Sequence, residues 1–176
     1  MKVLLLLAEG FSEIDAFTVV DVLRRSGVDV ETCGLASSSV TGARKTKILA
    51  DKKLEAVNHD DYDILVIPGG PGYKNLINSS AVIKIIKAFD TQKKYIAAMC
   101  ESPVVLAKAG IISDKIVTVY SGLEQQVPRP RNARVIVAGN VITCRSPSAA
   151  ADFALKLVEI AVGKKAALKT KQELFA

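Results

Sequence analysis

The 176-residue chain has no tryptophan, one histidine and three cysteines, and these shortages narrow its chemistry. Cys33, Cys100 and Cys144 are odd in number and far apart, with no Cys-x-x-Cys pair, which argues against a disulfide framework and against a zinc site. His59 stands alone in the polar run Val57-Asn58-His59-Asp60-Asp61, a surface-loop setting. Any Cys-His catalytic pair within the chain would have to use that one residue. No basic stripe with interleaved aromatics is present, so nucleic acid is not an expected partner. Much of the formal net charge of +6 traces to Lys164, Lys165, Lys169 and Lys171, which suit a solvated helix face. No apolar run reaches the roughly 18 residues that span a bilayer. The opening Lys2 to Leu7 is followed too soon by Glu9, Glu13 and Asp15 to be a signal peptide. A soluble, cytoplasmic protein is the expectation, with no membrane partner. Neither Gly-x-x-x-x-Gly-Lys nor Gly-x-Gly-x-x-Gly occurs after a strand, so the glycine loop gives no case for nucleotide phosphates.

What is present is an alternation of apolar runs and helical patterns. Residues 2 to 7 read as a buried strand, 11 to 25 as a helix ended by Ser26-Gly27, and 28 to 35 as a second strand. Residues 41 to 49 suggest short strands or a hairpin. Asp63 to Ile67 is another strand, closed by Pro68-Gly69-Gly70-Pro71-Gly72. A helix capped by Ser79 or Ser80 runs to about Phe89, then come a strand at 94 to 99 and a helix to Lys108. Ile116 to Val119 reads as a short strand, 120 to 132 as irregular, and 134 to 144 as a hairpin about Gly139-Asn140. A helix from about Ser148 to Val162 and a basic helix end the chain. Fully apolar strands alternating with helices predict one α/β domain over 1–176, a flavodoxin-like three-layer sandwich with a mostly parallel central sheet. In such sheets ligands bind beyond the carboxyl ends of the strands, where the loop at Glu9 to Asp15, the glycine loop and Cys100 would meet.

The run Tyr95-Ile96-Ala97-Ala98-Met99-Cys100-Glu101-Ser102-Pro103 changes from strand to helix at a cysteine, as a nucleophile elbow does. A thiol benefits from that position, since the thiolate is the reactive species and an ordinary cysteine is only a few per cent ionised at neutral pH. A buried core cysteine is the plainer alternative. Gly69 and Gly70 suit a tight turn, and Asp15 suits the first turn of a helix, where the dipole favours an acid.

Taken together, Ala8-Glu9-Gly10-Phe11-Ser12-Glu13-Ile14-Asp15, Asp21 to Gly27, Val66-Ile67-Pro68-Gly69-Gly70, Ile96 to Pro103 and Asp152-Phe153-Ala154-Leu155 resemble, nearly end to end, the ThiJ/PfpI superfamily, most closely its parkinsonism-associated deglycase branch. The resemblance implies a nucleophilic Cys100 and places Asp15 where the family usually has a glutamate touching the thiol. It further implies that the amides of Gly70 and Glu101 face an oxyanion, with Gly69 beside them, and that Arg44 matches an arginine near the site and a dimer interface. Tyr120 stands where the branch commonly has a histidine, and Glu101 where the peptidase branch has one, so a cysteine peptidase triad is not expected. The implied activity is a cofactor-independent, glyoxalase- or deglycase-like reaction on small reactive aldehydes or glycated groups, taking a 2-oxoaldehyde to a 2-hydroxy acid in stress defence. Asp15 would shuffle protons with help from Tyr120. The alternative is a redox-sensing or chaperone-like stress protein whose Cys100 is oxidised to sulfinate. Homodimerisation is implied by the resemblance alone. Cys33 and Cys144 read as core strand residues.

Overall fold

The computed structural model describes residues 1–176. Seven strands form one sheet: β1 (Lys2–Leu7), β2 (Asp29–Gly34), β5 (Lys52–Lys53), β6 (Ile64–Ile67), β7 (Tyr95–Met99), β8 (Val135–Ala138) and β9 (Val141–Cys144). Their order is β5-β2-β1-β6-β7-β9-β8, and every pairing is parallel except that of β8 with β9. A separate two-stranded hairpin pairs β3 (Ser39–Thr41) with β4 (Lys47–Leu49). The helices are α1 (Glu13–Arg25), α2 (Tyr73–Ile77), α3 (Ser80–Thr91), α4 (Pro103–Ala109), α5 (Ala150–Val162) and α6 (Lys164–Leu174). This is the expected flavodoxin-like α/β sandwich.

The central strands are apolar throughout because both of their faces are covered. On β1, Val3, Leu5 and Leu7 pack into one core with Val19, Leu23, Phe153 and Leu157 of α1 and α5. Leu4 and Leu6 pack into the other with Ile86 and Phe89 of α3 and Val105 of α4. Strand periodicity of two sends alternate side chains of a single run into two separate cores. Burying each leucine contributes about 1.5–3 kcal/mol.

The structure redraws several elements. Residues 116 to 119 form no strand: Val117 makes only an isolated bridge to Pro130. The Thr118 N–H goes to the Thr143 side-chain oxygen at 3.0 Å, and the Tyr120 N–H to the Cys100 carbonyl at 2.8 Å. The segment is apolar because it is buried, but its hydrogen bonds are scattered over three partners instead of one neighbouring ladder. Helix α1 starts at Glu13, since Ser12 caps it. The hairpin turns at Gly42 to Thr46, leaving three residues in each strand. The two-residue β5 and five-residue α2 are too short to show a period.

The chain leaves β1 toward β2 on one side and returns as β6 on the other, so the crevice of the sheet opens between β1 and β6. The loops above it are tied together. Ser12 N–H donates to the Gly69 carbonyl at 2.7 Å and Gly72 N–H to the Gly10 carbonyl at 3.0 Å. Gly70, at φ +98°, sits where an added Cβ would lie 2.5 Å from Ser12 N and 2.6 Å from Gly10 O, so only glycine lets the two loops close.

Candidate active site

Cys100 follows directly on β7 with φ +55°, in the left-handed region that costs a side chain energy. The other non-glycine residues with positive φ, Lys45, Lys93 and Arg129, are exposed turn residues, whereas Cys100 is buried. Neighbouring strands hold the strained residue in place. Its N–H donates to the Cys144 carbonyl of β9 and its carbonyl accepts from Tyr120 N–H, both at 2.8 Å. The Ser102 hydroxyl donates to the Pro68 carbonyl at 2.6 Å, fastening the elbow to the glycine loop.

Asp15 reaches the same point from α1. It is wholly buried, and its Oδ2 accepts the Gly69 N–H at 3.0 Å. Glu101 does the same one residue on, its Oε2 accepting the Gly70 N–H at 2.7 Å. Sequence reasoning gave Glu101 a backbone role and left the Gly70 amide free for an oxyanion. In the structure that amide already has an acceptor, the Glu101 side chain itself. The Glu101 N–H donates to no acceptor in the chain and stays available. Nothing in a single sequence signals that a residue following the thiol folds back onto a loop 31 positions earlier.

Burial, then the hydrogen-bonding and charged neighbours, set the protonation of this cluster. Desolvation pushes the Asp15 carboxyl above its usual range, against the pull of Cys100 and the Gly69 amide, with Glu101 adding to the rise. The Cys100 thiol is held well above the ordinary range, first by burial and then by Asp15 and Glu101. The thiol lies near enough to interact with Asp15 but is not aligned to donate to it, because Asp15 Oδ1 is buried without a hydrogen-bond partner. A carboxylate beside a thiolate is doubly unfavourable, so at most one of the two groups is ionised at a time. When the sulfur is the thiolate, Asp15 keeps its proton and Oδ1–H is a donor beside it. Cys33 and Cys144 lie in β2 and β9, and burial pushes each thiol up to about 12, as suits core residues.

The sign of the Asp15 shift yields a stability prediction. A carboxyl whose value is raised on folding contributes stability that is complete below the ordinary aspartate value near 3.9 and is lost as pH rises through the folded-state value. Asp15→Asn removes this loss. The melting-temperature gain of the variant over the parent is expected to grow from about pH 4 to about pH 8. Each unit by which folding raises the carboxyl adds about 1.4 kcal/mol to the gap, and each kcal/mol is read as about 2–4 °C. Thermal melts across that range check it, and a gap that narrows toward pH 8 would refute the assignment.

The cluster opens on a cavity of about 410 Å³ lined by Ser12, Glu13, Asp15, Arg44, Gly70, Cys100, Glu101 and Tyr120, among others. Arg44 enters because Glu13 Oε1 accepts its backbone N–H at 2.7 Å, docking the hairpin turn on the start of α1. Burial of Glu13 is outweighed by amide donors, including those of Arg44 and Thr46, which lower its pKa. Tyr120 is 42 % exposed on the wall. His59 lies in a short 3-10 turn before β6, away from the cavity-lining residues. No three of the chain's His, Cys, Asp and Glu side chains are grouped to hold a metal ion, and no helix is long and apolar enough to cross a membrane.

Known proteins share this sequence pattern and fold. A model of the DJ-1/PfpI family matches residues 1–160. The Parkinson disease protein 7 homolog of Danio rerio is 36% identical over 181 residues, covering 98% of this chain and 96% of that protein. The glutathione-independent glyoxalase DJR-1.2 of Caenorhabditis elegans is 31% identical over 163 residues, 91% of this chain and 88% of that one. The crystal structure of Drosophila melanogaster DJ-1beta superposes with a TM-score of 0.96 at 34% identity, covering 100% of this chain and 99% of the other. A family model matching most of the chain, and relatives matched over nearly their whole length, leave one conclusion: this chain belongs to the DJ-1/PfpI family.

Proposed function

We propose that the protein is a cofactor-independent cysteine enzyme that converts small 2-oxoaldehydes, such as methylglyoxal, to 2-hydroxy acids, with glycated groups as related substrates. The observation that carries this reading is the buried Asp15 carboxyl, with an unpartnered oxygen, beside a thiol at a strained elbow that borders an open cavity. The naming of a relative as a glutathione-independent glyoxalase supports the choice of substrate.

Cys100 adds to the aldehyde carbon as its proton passes to Asp15, and the alkoxide that forms takes the proton back, giving a hemithioacetal. The Glu101 amide is the available donor to the developing oxyanion, and the Gly70 amide joins it when the Glu101 side chain swings away. Tyr120 assists as a hydrogen-bond donor. Isomerisation of the hemithioacetal to a thioester and hydrolysis by water release the 2-hydroxy acid. The test is lactate formation from methylglyoxal without glutathione, followed by proton NMR; methylglyoxal left unconsumed would overturn the reading.

A stress-defence enzyme with unpaired thiols suits a cytoplasmic setting. We also propose a homodimer. Ile14 on α1, which lines the cavity, Phe17 on the same helix and Leu49 on β4 expose apolar surface, at 55 %, 39 % and 77 %. A second copy covering this face would close one side of the site. Sedimentation is expected to give twice the chain mass of 18.8 kDa; a single-chain mass at micromolar concentration would count against it.

A further inference from the structure

Two carboxyl groups, not one, are held beside Cys100, and they are held alike. Asp15 and Glu101 each fix one oxygen on consecutive amides of the glycine turn, Gly69 and Gly70. Each leaves its second oxygen without a hydrogen bond. Their surroundings differ. Asp15 is sealed in the core, while Glu101 lies partly exposed on the cavity wall. Two like groups in unlike environments are how a site separates an acid from a base. Tyr120 on the same wall carries a phenol, a weaker proton acceptor than a carboxylate.

We propose that the Glu101 side chain is the catalytic base of this site, carrying the carbon-bound proton of a 2-oxoaldehyde from C1 to C2. The proposal rests on the glyoxalase reading above and adds a residue to it. In the hemithioacetal, the C1 hydrogen leaves as a proton to the Glu101 carboxylate, and the C1–H electron pair forms the C1–C2 double bond as the C2 carbonyl pair moves onto O2. Glu101 returns the proton to C2. Asp15 carries the O1 proton to O2. The product is the Cys100 thioester of a 2-hydroxy acid, with C1 oxidised by two electrons and C2 reduced by two, so no external oxidant or reductant enters. Water then cleaves the thioester and restores the thiol.

The test is Glu101→Gln, whose amide oxygen still accepts the Gly70 N–H. Methylglyoxal turnover is expected to fall about 10²- to 10⁴-fold, the usual contribution of a general base. Alkylation of Cys100 by iodoacetamide at neutral pH should be unchanged or faster, since one negative neighbour of the sulfur is gone. Mass spectrometry should find the hemithioacetal accumulating on Cys100. Turnover equal to or above the parent's would overturn the assignment and make Glu101 a plug on the Gly70 amide. Loss of alkylation together with turnover would overturn it too, leaving Glu101 a positioning residue. A parent protein that leaves methylglyoxal unconsumed would instead defeat the glyoxalase reading itself, and this proposal with it.

Discussion

Cys100→Ala is expected to bring methylglyoxal consumption to the uncatalysed background while leaving the fold intact. The elbow is built by backbone, not by sulfur. The hydrogen bonds from Cys100 N–H to Cys144 and from Tyr120 N–H to Cys100 persist whatever the side chain, and alanine bears the same strain at φ +55°. The variant loses only the nucleophile, with no other thiol placed to replace it: Cys33 and Cys144 are buried strand residues outside the cavity. Cys33→Ala and Cys144→Ala should therefore keep turnover near the parent's. The check is lactate formation by the three variants side by side, with circular dichroism to confirm folding. Unchanged consumption by Cys100→Ala would remove the thiol from the mechanism.

Gly69→Ala should damage both site and stability through one methyl group. A Cβ at Gly69 would lie 2.4 Å from the Cβ of Cys100, 2.6 Å from Glu101 Oε2 and 2.7 Å from Asp15 Oδ2. All three reactive side chains converge on the space that glycine leaves empty. Glu101 can swing toward the cavity, but Asp15 is wholly buried and Cys100 is held at both its N–H and its carbonyl. Overpacking of this kind costs about 1–3 kcal/mol, which at about 2–4 °C per kcal/mol lowers the melting temperature measurably. Misplacing reacting groups by about 1 Å costs on the order of 10²-fold in rate. Thermal melting and methylglyoxal kinetics on the same preparation check both effects. A Gly69→Ala protein with parental melting and turnover would show that the three groups have room to move, against the packed geometry.

How much of this was legible beforehand differs by residue. The elbow at Cys100 was, because an apolar run passes into a helical pattern there, although a core cysteine suited the same run. Asp15 and the glycine loop were legible only through the family resemblance, since an acid in a first helical turn and a Gly-Gly turn are common. Glu101 is where the sequence misled. Its place beside the thiol drew attention to its amide, while its carboxylate turned out to occupy the amide of Gly70. Residues 116 to 119 misled for a related reason, since apolar composition reports burial, and burial does not require a hydrogen-bonded ladder.

By itself the sequence determined the layering of the sheet and helices and the single histidine that rules out most Cys-His chemistry. It also determined the elbow, because period-two and helical patterns and glycine turns are local, and local geometry is written in neighbouring residues. Only the tertiary structure decided that Asp15, Gly69, Gly70, Cys100 and Glu101 share one site, and which amide each carboxyl takes. It also decided that burial raises both the thiol and the Asp15 carboxyl. Those properties depend on distances and desolvation among groups up to 86 positions apart, and they arise only when β1, β6 and β7 lie side by side.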